Sequence, residues 1–338
     1  MVDGTQPGST PERDPDPSSA GAVVPRRSAM AVRLIAVGAA LVLALAIAFV
    51  VVVVAGPPSV EELRSRAGLD DRRQLLIGVK EDQPGIALRR GNTWTGFDID
   101  IAYMIAEDLG FRRSEVKFVS IESEDRARMQ ATDVDGSRVG VDLVIASYSI
   151  TPEREAVAGV TFSAPYLYTE QSVVTRIDHD DVSTLEDLAG AKTCSLATAT
   201  SETPAKKAQM KVVSRKKIIE CFQALDAGLV EAVTTDAAIL AGYKDQQPTK
   251  YKHSDIGLEA TEAWGVNVGE NEALRDLVNL TLYRSREDPK DTRWEEAFDK
   301  NLRVEEDTNG KAPIAVAQQP VVRDEPEVRQ WPWERVGP

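Results

Sequence analysis

The chain has 338 residues, of which 42% are hydrophobic and 28% are charged, and its formal net charge is −14 at pH 7. This composition is typical of globular protein, and the length is enough for one or two domains with a sizeable core. The negative charge argues against a nucleic-acid partner, because phosphate backbones are bound by basic surfaces. It does not exclude a locally positive pocket for a small anion.

The N-terminal part of the chain predicts a tail followed by a membrane helix. Residues 1–30 are rich in Pro, Gly, Ser and Asp, which is typical of a disordered cytoplasmic tail. Residues 31–56 predict a single transmembrane helix, because the uncharged run beginning at Leu34 covers the roughly 20 apolar residues that a bilayer core requires. A cleaved signal peptide is the alternative, which the length of this run disfavours.

The charges on either side of the apolar run predict its orientation. Three arginines precede it (Arg26, Arg27 and Arg33), and two glutamates follow it (Glu61 and Glu62). By the positive-inside rule, the N-terminus lies in the cytoplasm and the C-terminal bulk lies outside, anchored to the cell membrane. We expect a juxtamembrane linker or helix over 57–71, one globular region over 72–310 and a Pro-rich tail over 311–338.

The globular region alternates short apolar runs with helical patterns, which predicts an α/β fold with mostly parallel sheets. No internal repeat is visible. The predicted strands are Leu75–Val79, Val116–Ile121, Val141–Ala146, Val173–Thr175 and Glu231–Thr235, and the predicted helical segments are Asp98–Leu109, a charged helix from about Glu122, Leu185–Leu188, Cys221–Leu225 and Ala237–Tyr243.

The segment Asp142–Arg154 carries the sharpest local signal. A buried strand runs into three hydroxyl residues (Ser147, Ser149 and Thr151), and Thr151-Pro152 is typical of a helix start. Arg154 then falls in the first turn, where free N–H groups and a guanidinium form a cradle for a carboxylate. A capped helix with a solvated arginine is the alternative from the pattern alone.

Three further charged residues are candidates for a binding site. Asp236 ends a strand and opens a helix, where it accepts an ammonium group or simply caps the helix. Lys80 follows the first strand and Arg126 lies near a helix start, so both either add positive charge to the site or project into solvent.

The cysteines and the known catalytic motifs limit the chemistry that the predicted exported region could perform. Cys194 and Cys221 both fall on the exported side, where oxidising conditions favour a disulfide, with two free buried thiols as the alternative. The two cysteines and two histidines show no metal-ligand spacing, and nothing in the sequence points to a cofactor. No nucleophile elbow or phosphate-binding Gly-rich loop is present, so catalysis finds little support in the sequence.

At these residues the sequence resembles the polar amino-acid-binding proteins of ABC importers, solute-binding protein family 3. Several short motifs occur in the family's order over about residues 72–305: Gly96-Phe-Asp-Ile-Asp-Ile-Ala102, Ser147 to Arg154, Phe162-Ser-Ala-Pro-Tyr166, Asp187-Leu-Ala-Gly190, Thr234-Thr-Asp236 and Trp294–Leu302. Gln83-Pro-Gly85 and the two cysteines resemble the actinobacterial glutamate-binding branch.

The resemblance implies a type II periplasmic-binding fold with two α/β lobes joined by two hinge strands near 168–176 and 261–268. The first lobe would take residues 72–170 and 265–310, and the second 172–262. The implied ligand is an amino acid, glutamate or aspartate first and glutamine or asparagine next.

The resemblance also assigns roles to the candidate residues. Arg154 would bind the α-carboxylate, helped by Ser147, Ser149 and the backbone near Thr200 and Ser201. Asp236 would bind the α-ammonium, and Arg126 with Lys80 would bind the distal carboxylate.

Departures from the family's pattern leave other functions open. Thr198-Ala-Thr-Ser201 stands where the family has a glycine, and Thr132–Gly140 looks like an insertion. An apolar helix replaces the usual lipidated cysteine. The partner is therefore either an ABC permease or a membrane signalling protein that reads the tethered domain as a sensor. A dehydratase-like enzyme on the same fold is a further alternative, disfavoured by the lack of acid–base residues.

Overall fold

The computed structural model describes residues 29–256, 261–310, 312–323 and 325–329. The chain divides into a unit that ends at Gly56 and a unit that begins at Pro57. The first unit contains helix α1 (Ala29–Ala55). Its stretch Met30–Val52 has a mean hydropathy of 3.0 and is long and apolar enough to cross a membrane. The tail predicted over 1–30 lies outside the described residues, apart from its last two.

The second unit combines short helices with many strands. Its helices are α2 (Val60–Arg66), α3 (Phe97–Asp108), α4 (Pro152–Glu155), α5 (Glu202–Lys207), α6 (Ile218–Asp226), α7 (Ala237–Gln246), α8 (Glu272–Glu287), α9 (Arg293–Phe298) and α10 (Val304–Asn309). Shorter helical turns are the 3-10 segments Arg113–Glu115, Ser123–Arg128 and Leu185–Leu188 and the π-helical segment Asp299–Arg303.

The strands are β1 (Leu75–Val79), β2 (Asp82–Gln83), β3 (Ala87–Arg90), β4 (Thr93–Thr95), β5 (Val116–Ser120), β6 (Gln130–Thr132), β7 (Arg138–Gly140), β8 (Leu143–Val144), β9 (Phe162–Arg176), β10 (Lys192–Leu196), β11 (Lys211–Arg215), β12 (Ala232–Asp236), β13 (Tyr251–Ser254) and β14 (Thr261–Asn267). Strands β2, β3 and β4 form a small sheet, and the other eleven form one large sheet, in which β13 pairs with β9 outside the main strand order.

Two strands join two α/β lobes within this second unit. In the first lobe, β1 pairs in parallel with β5 and β8, and in the second lobe β10 pairs in parallel with β11 and β12. The 15-residue strand β9 pairs antiparallel with β14 in its first part and with β12 and β13 in its second. This is the two-lobed architecture with two connecting strands that the sequence predicted, while the residue limits of the lobes stay a prediction.

Local sequence explains where the first elements begin and end. Strand β1 has the predicted limits, and α3 begins one residue before the predicted helix. The residue before α3 is Gly96, with φ +128°, and a Cβ added there would lie 2.3 Å from the Ile86 carbonyl oxygen. Only glycine fits both the backbone angle and this close approach.

Two predicted elements near the candidate site are shorter than expected. Strand β8 covers only Leu143 and Val144 of the predicted Val141–Ala146, because only these two residues pair with neighbouring strands. The charged helix expected near Glu122 is a 3-10 segment, which ends where Met129 adopts φ +54°.

The segment predicted as a linker or helix over 57–71 contains a helix. Ser59 caps α2, since its hydroxyl accepts from the Glu62 N–H and the Glu62 carboxylate accepts from the Ser59 N–H. Leu63 is buried in the main hydrophobic cluster, and α2 packs against α8. The segment is therefore part of the folded second unit.

The C-terminal segment, predicted as a Pro-rich tail, contacts the second unit at several of its described residues. Ile314 is fully buried, and the Val316 N–H donates to the Tyr168 carbonyl at 2.8 Å. Farther on, the Gln319 amide donates to the Leu282 carbonyl at 3.0 Å, and the Arg329 N–H donates to the Pro58 carbonyl at 2.8 Å. Its few apolar residues have no period, so composition alone predicts a tail, and residues 330–338 lie outside the described residues.

Replacement of Ile314 by alanine tests whether this segment stabilises the fold. The buried side chain leaves a cavity, so we expect the free energy of unfolding of residues 57–338 to fall by about 2–5 kcal/mol in denaturant titrations. Val316→Ala is the matched control, because Val316 is 46% exposed and should change stability by less than about 0.5 kcal/mol. Equal effects of the two substitutions would contradict a packed segment.

Candidate functional site

A narrow cavity lies between the lobes of the second unit. It is lined by Lys80, Gln83, Arg126, Ser147, Ser149, Arg154, Leu196, Ala199, Thr200, Thr235, Asp236 and Ile239. Strand ends and the turns after them supply most of these residues, as expected for a site at the carboxyl edge of parallel strands. Three of the lining residues are basic and one is acidic.

A buried carboxylate shapes the first-lobe wall. Ser147 has φ +44°, a left-handed conformation that is uncommon for a residue with a side chain. Its N–H donates to Asp98 Oδ2 at 2.9 Å, and the Tyr166 hydroxyl donates to Asp98 Oδ1 at 2.9 Å. The Ser147 hydroxyl in turn donates to Gln83 Oε1 at 2.7 Å. Burial raises the pKa of Asp98 to about 7, although both hydrogen bonds oppose this rise.

Arg154 follows the cap predicted from Thr151-Pro152. The Thr151 hydroxyl accepts from the Arg154 N–H at 3.3 Å, and Pro152 is the first residue of α4. Because α4 has only four residues, positive charge at this point comes chiefly from the guanidinium and little from a helix dipole. Its Nη1 donates to the Ser149 carbonyl at 2.7 Å, and its Nη2 donates to the Thr198 carbonyl at 2.9 Å.

The hydrogen bond from Arg154 to the Thr198 carbonyl joins the first lobe to the second. Thr198 has φ +62°, which is strained for a β-branched residue. This is the loop in which the sequence departs from the family's glycine. The strained backbone directs the Thr198 carbonyl toward Arg154.

Arg126 and Lys80 are both buried, which overturns the alternative that they project into solvent. Nη1 of Arg126 donates to the carbonyls of Ala146 and Ser147 at 3.1 and 2.9 Å, and Lys80 Nζ donates to the Ser123 hydroxyl at 2.8 Å. Burial, followed by repulsion from Arg126, lowers the pKa of Lys80 to about 8.

An aromatic ring contacts both arginines of the cavity. The guanidinium carbons of Arg126 and Arg154 lie 4.4 and 4.8 Å from the centre of the Tyr148 ring. Such cation–π contacts stabilise positive charge at short range. Tyr148 therefore helps to hold two like charges near one another.

Asp236 lies on the second-lobe wall at the end of β12. Although it precedes α7, its side chain makes no capping hydrogen bond and instead accepts from the Trp264 indole N–H at 2.6 Å. Burial raises the pKa of Asp236 to about 7, and repulsion from Glu262 adds to the rise. The simple capping alternative is therefore wrong, and the carboxylate is held where a cation in the cavity would stabilise its ionised form.

The structure brings together seven of the eight predicted ligand-binding residues. Ser201 is the exception: it is buried behind the cavity, where its hydroxyl pairs with the Ser195 hydroxyl at 2.9 Å and donates to the Thr234 carbonyl at 3.4 Å. Sequence reasoning missed five lining residues, which are Gln83, Leu196, Ala199, Thr235 and Ile239. Their positions at the ends of strands, in the loop after β10 or in the first turn of α7 were the available signal.

Cys194 and Cys221 form the predicted disulfide, with a Cα–Cα distance of 5.4 Å. The bond joins β10 to α6 in the second lobe, and the alternative of two free thiols is wrong. Within the described residues, no group of three or more His, Cys, Asp or Glu side chains is arranged to hold a metal ion.

Comparison with known proteins assigns the family. Residues 75–300 match the model of the bacterial extracellular solute-binding proteins, family 3. The chain belongs to this family. A glutamate-binding protein of Corynebacterium efficiens is 32% identical over 226 residues, which cover 62% of this chain and 73% of that protein. A glutamine-binding ABC transporter protein of Bacillus subtilis is 28% identical, over 69% of this chain and 83% of that protein.

A solved structure places the fold in the same group. An ancestral arginine-binding protein bound to glutamine aligns with a TM-score of 0.59 at 31% identity, and the alignment covers 68% of this chain and 98% of that one. The two α/β lobes are therefore those of the type II periplasmic-binding fold, as expected for a member of solute-binding family 3.

Replacement of Trp264 by phenylalanine tests the state of Asp236. The substitution removes an indole donor that favours the ionised carboxylate, so the pKa of Asp236 should rise above about 7. Carbon-13 NMR titration of the carboxyl group measures the change. Trp294→Phe is the matched control, because Trp294 is also buried but its indole donates to the Tyr166 carbonyl. An equal rise in both variants would contradict a direct effect of Trp264.

Proposed function

We propose that this chain binds a free α-amino acid outside the cytoplasm by closing its two lobes around the ligand. The observation that carries the proposal is that Arg154 and Asp236 line one cavity from opposite lobes. A guanidinium suits the α-carboxylate and a buried carboxylate suits the α-ammonium, so one zwitterion satisfies both. Ser149 and Thr200 line the same cavity and offer hydroxyls beside it.

The remaining charges favour an acidic side chain on the ligand. Once a zwitterion has paired with Arg154 and Asp236, Lys80 and Arg126 still bring buried positive charge. Buried charges without partners are costly, and a distal carboxylate offsets this cost better than an amide does. The proposed order is therefore glutamate or aspartate first, then glutamine or asparagine. This agrees with relatives that are named for binding glutamate and glutamine.

Arg126 is the weaker of the two candidates for contact with the distal group. Its Nε and Nη1 already donate to three backbone carbonyls, of Ser123, Ala146 and Ser147. Lys80 donates to one hydroxyl and has further N–H groups for a ligand. We therefore assign direct contact with the distal carboxylate first to Lys80. Arg126 adds positive charge to the site, and its Nη2 group is a further donor.

Lobe closure would serve delivery to an ABC permease in the membrane. The family's extracellular character and helix α1 support a membrane-anchored, single-pass arrangement with the second unit outside. A membrane-tethered sensor is the second candidate, favoured by that same apolar helix. Uptake of labelled glutamate in cells that lack the gene separates them: a delivery protein is needed for uptake, whereas a sensor is needed only for the response.

Isothermal calorimetry with a panel of amino acids tests the ligand assignment. We expect wild type to bind glutamate or aspartate more tightly than glutamine, and Arg154→Ala to weaken every amino acid at least about 30-fold, because a buried charge loses its partner. Lys80→Met should weaken glutamate and aspartate selectively.

Lys207→Met is the matched control for Lys80, since Lys207 is exposed on α5 and lies outside the cavity lining. Absence of binding by wild type, or unchanged binding by Arg154→Ala, would refute the proposed function. An equal loss of glutamate and glutamine in Lys80→Met would refute only the assignment of the distal carboxylate.

Binding should be coupled to proton release near neutral pH. Burial with the lobes together raises the pKa of Asp236 to about 7, so below that pH its carboxyl is mostly protonated, whereas an ammonium partner favours the ionised form. Affinity should therefore fall as the pH drops below about 7, by up to about tenfold per pH unit for one proton. Calorimetry at about pH 6 in two buffers with different ionisation enthalpies measures the released proton.

Histidine titration is the competing source of such a proton. Burial lowers the pKa of His253 to about 4, so it is uncharged over this range, and His179 is exposed. His179→Gln should therefore leave proton release unchanged. Equal heats in the two buffers for wild type would contradict a role for Asp236.

A further inference from the structure

Helix α6 of the second lobe begins without a side-chain cap of its own. Lys217 occupies the N-cap position with an extended backbone, and its ammonium group cannot accept a hydrogen bond. Helix starts usually carry Ser, Thr, Asp or Asn there, because the first N–H groups have no partner within the helix. Within α6, the Glu220 carboxylate accepts from the Lys217 N–H at 3.5 Å, which leaves the N–H groups of the first turn to acceptors outside the helix.

An aspartate of the first lobe supplies the missing acceptor. Asp82 Oδ2 accepts from the Ile219 N–H, the second residue of α6, at 3.1 Å. This is the contact that a side chain at the N-cap position normally makes. Negative charge at a helix start is also favoured by the helix dipole. Asp82 thus caps α6 from across the cleft between the lobes.

Neighbouring contacts show that this cap belongs to a wider junction between the lobes. The Tyr243 hydroxyl of α7 donates to the Asp82 carbonyl at 2.6 Å. Lys217 pairs with Glu81, and Lys216 pairs with Glu124 at 2.8 Å. The two ion pairs are partly exposed and are therefore worth little singly, whereas a helix cap is worth more. The cap is the contact to examine first.

The disulfide connects this junction to the ligand cavity. Cys221 lies on α6 and is bonded to Cys194 of β10, two residues before Leu196, which lines the cavity. Asp82 itself is not among the residues that line the cavity. A change at Asp82 therefore removes no direct contact with ligand, and it reaches the cavity either through the placement of the second-lobe wall or through the charge that Asp82 presents to Lys80.

We propose that Asp82 is a positioning residue that stabilises the closed arrangement of the lobes by capping α6 only when they are together. The proposal rests on the proposed function, since it treats binding as lobe closure. Opening the cleft removes the acceptor from the Ile219 N–H, so the cap favours the closed state. Loss of a typical cap should weaken binding about fivefold, equivalent to about 1 kcal/mol at 25 °C.

The first measurement is ligand affinity, determined by calorimetry on the full-length chain in detergent for wild type and three variants. Asp82→Ala should weaken glutamate and glutamine by the same factor, because the residue contacts neither. Asp82→Asn should bind nearly as well as wild type, because asparagine is about as good a cap as aspartate. Asp187→Ala is the matched control: its carboxylate accepts from the Ser183 and Thr184 N–H groups within one lobe, so its loss should leave affinity unchanged.

The distance between the lobes provides the second measurement and needs no ligand. Spin labels on cysteines introduced at Val134 and Leu229 suit pulsed distance measurements, because these side chains are 76% and 64% exposed and lie in different lobes. Ligand-free Asp82→Ala should populate longer distances than wild type, and Asp82→Asn should not. Melting temperatures of all variants confirm that they are folded.

The outcomes separate this proposal from the proposed function. If no amino acid binds to wild type, the proposed function fails and the ligand-free distances alone decide whether Asp82 holds the lobes together. If Asp82→Ala matches wild type in affinity and distance, Asp82 does not stabilise closure. If Asp82→Asn is as weak as Asp82→Ala, or if the glutamate-to-glutamine ratio changes, the effect is one of charge on nearby Lys80, and the cap is refuted.

Discussion

The cavity depends on one buried carboxylate, that of Asp98. It accepts from the Ser147 N–H and the Tyr166 hydroxyl, so it fixes the turn after β8 to both α3 and β9. The left-handed turn at Ser147 directs its hydroxyl to Gln83 and its carbonyl to Arg126. Without this anchor, the strain at Ser147 would have no compensation, and the basic wall would lose the backbone that orients it.

The cavity carries a net positive charge, although the whole chain is negatively charged. A chain with a net charge of −14 lines its cavity with three basic residues and one acid. Burial lowers the pKa of Lys80 and raises that of Asp236, so each charge is held at a cost that a ligand of complementary charge reduces. The same buried charges therefore favour a ligand of complementary charge and favour closure of the lobes around that ligand.

Sequence periodicity predicted the limits of β1 and placed α3 within one residue, whereas α7 begins at the predicted residue but ends three residues later, at Gln246. Arg154 was also predictable, because Thr151-Pro152 marks a helix start by itself. The left-handed turns at Ser147 and Thr198 were not, because neither residue type favours that conformation. The cap from Asp82 and the burial of Ile314 depend on long-range packing, which a local pattern does not encode.

The hydrogen bond between Arg329 and Pro58 brings the two described ends of the folded second unit together. The first and last described segments of this unit therefore lie side by side. Such domains tolerate circular permutation and insertion into other proteins. New ends could therefore be opened at an exposed loop, with the present ends joined by a short linker, to give a lobe-closure reporter free of helix α1.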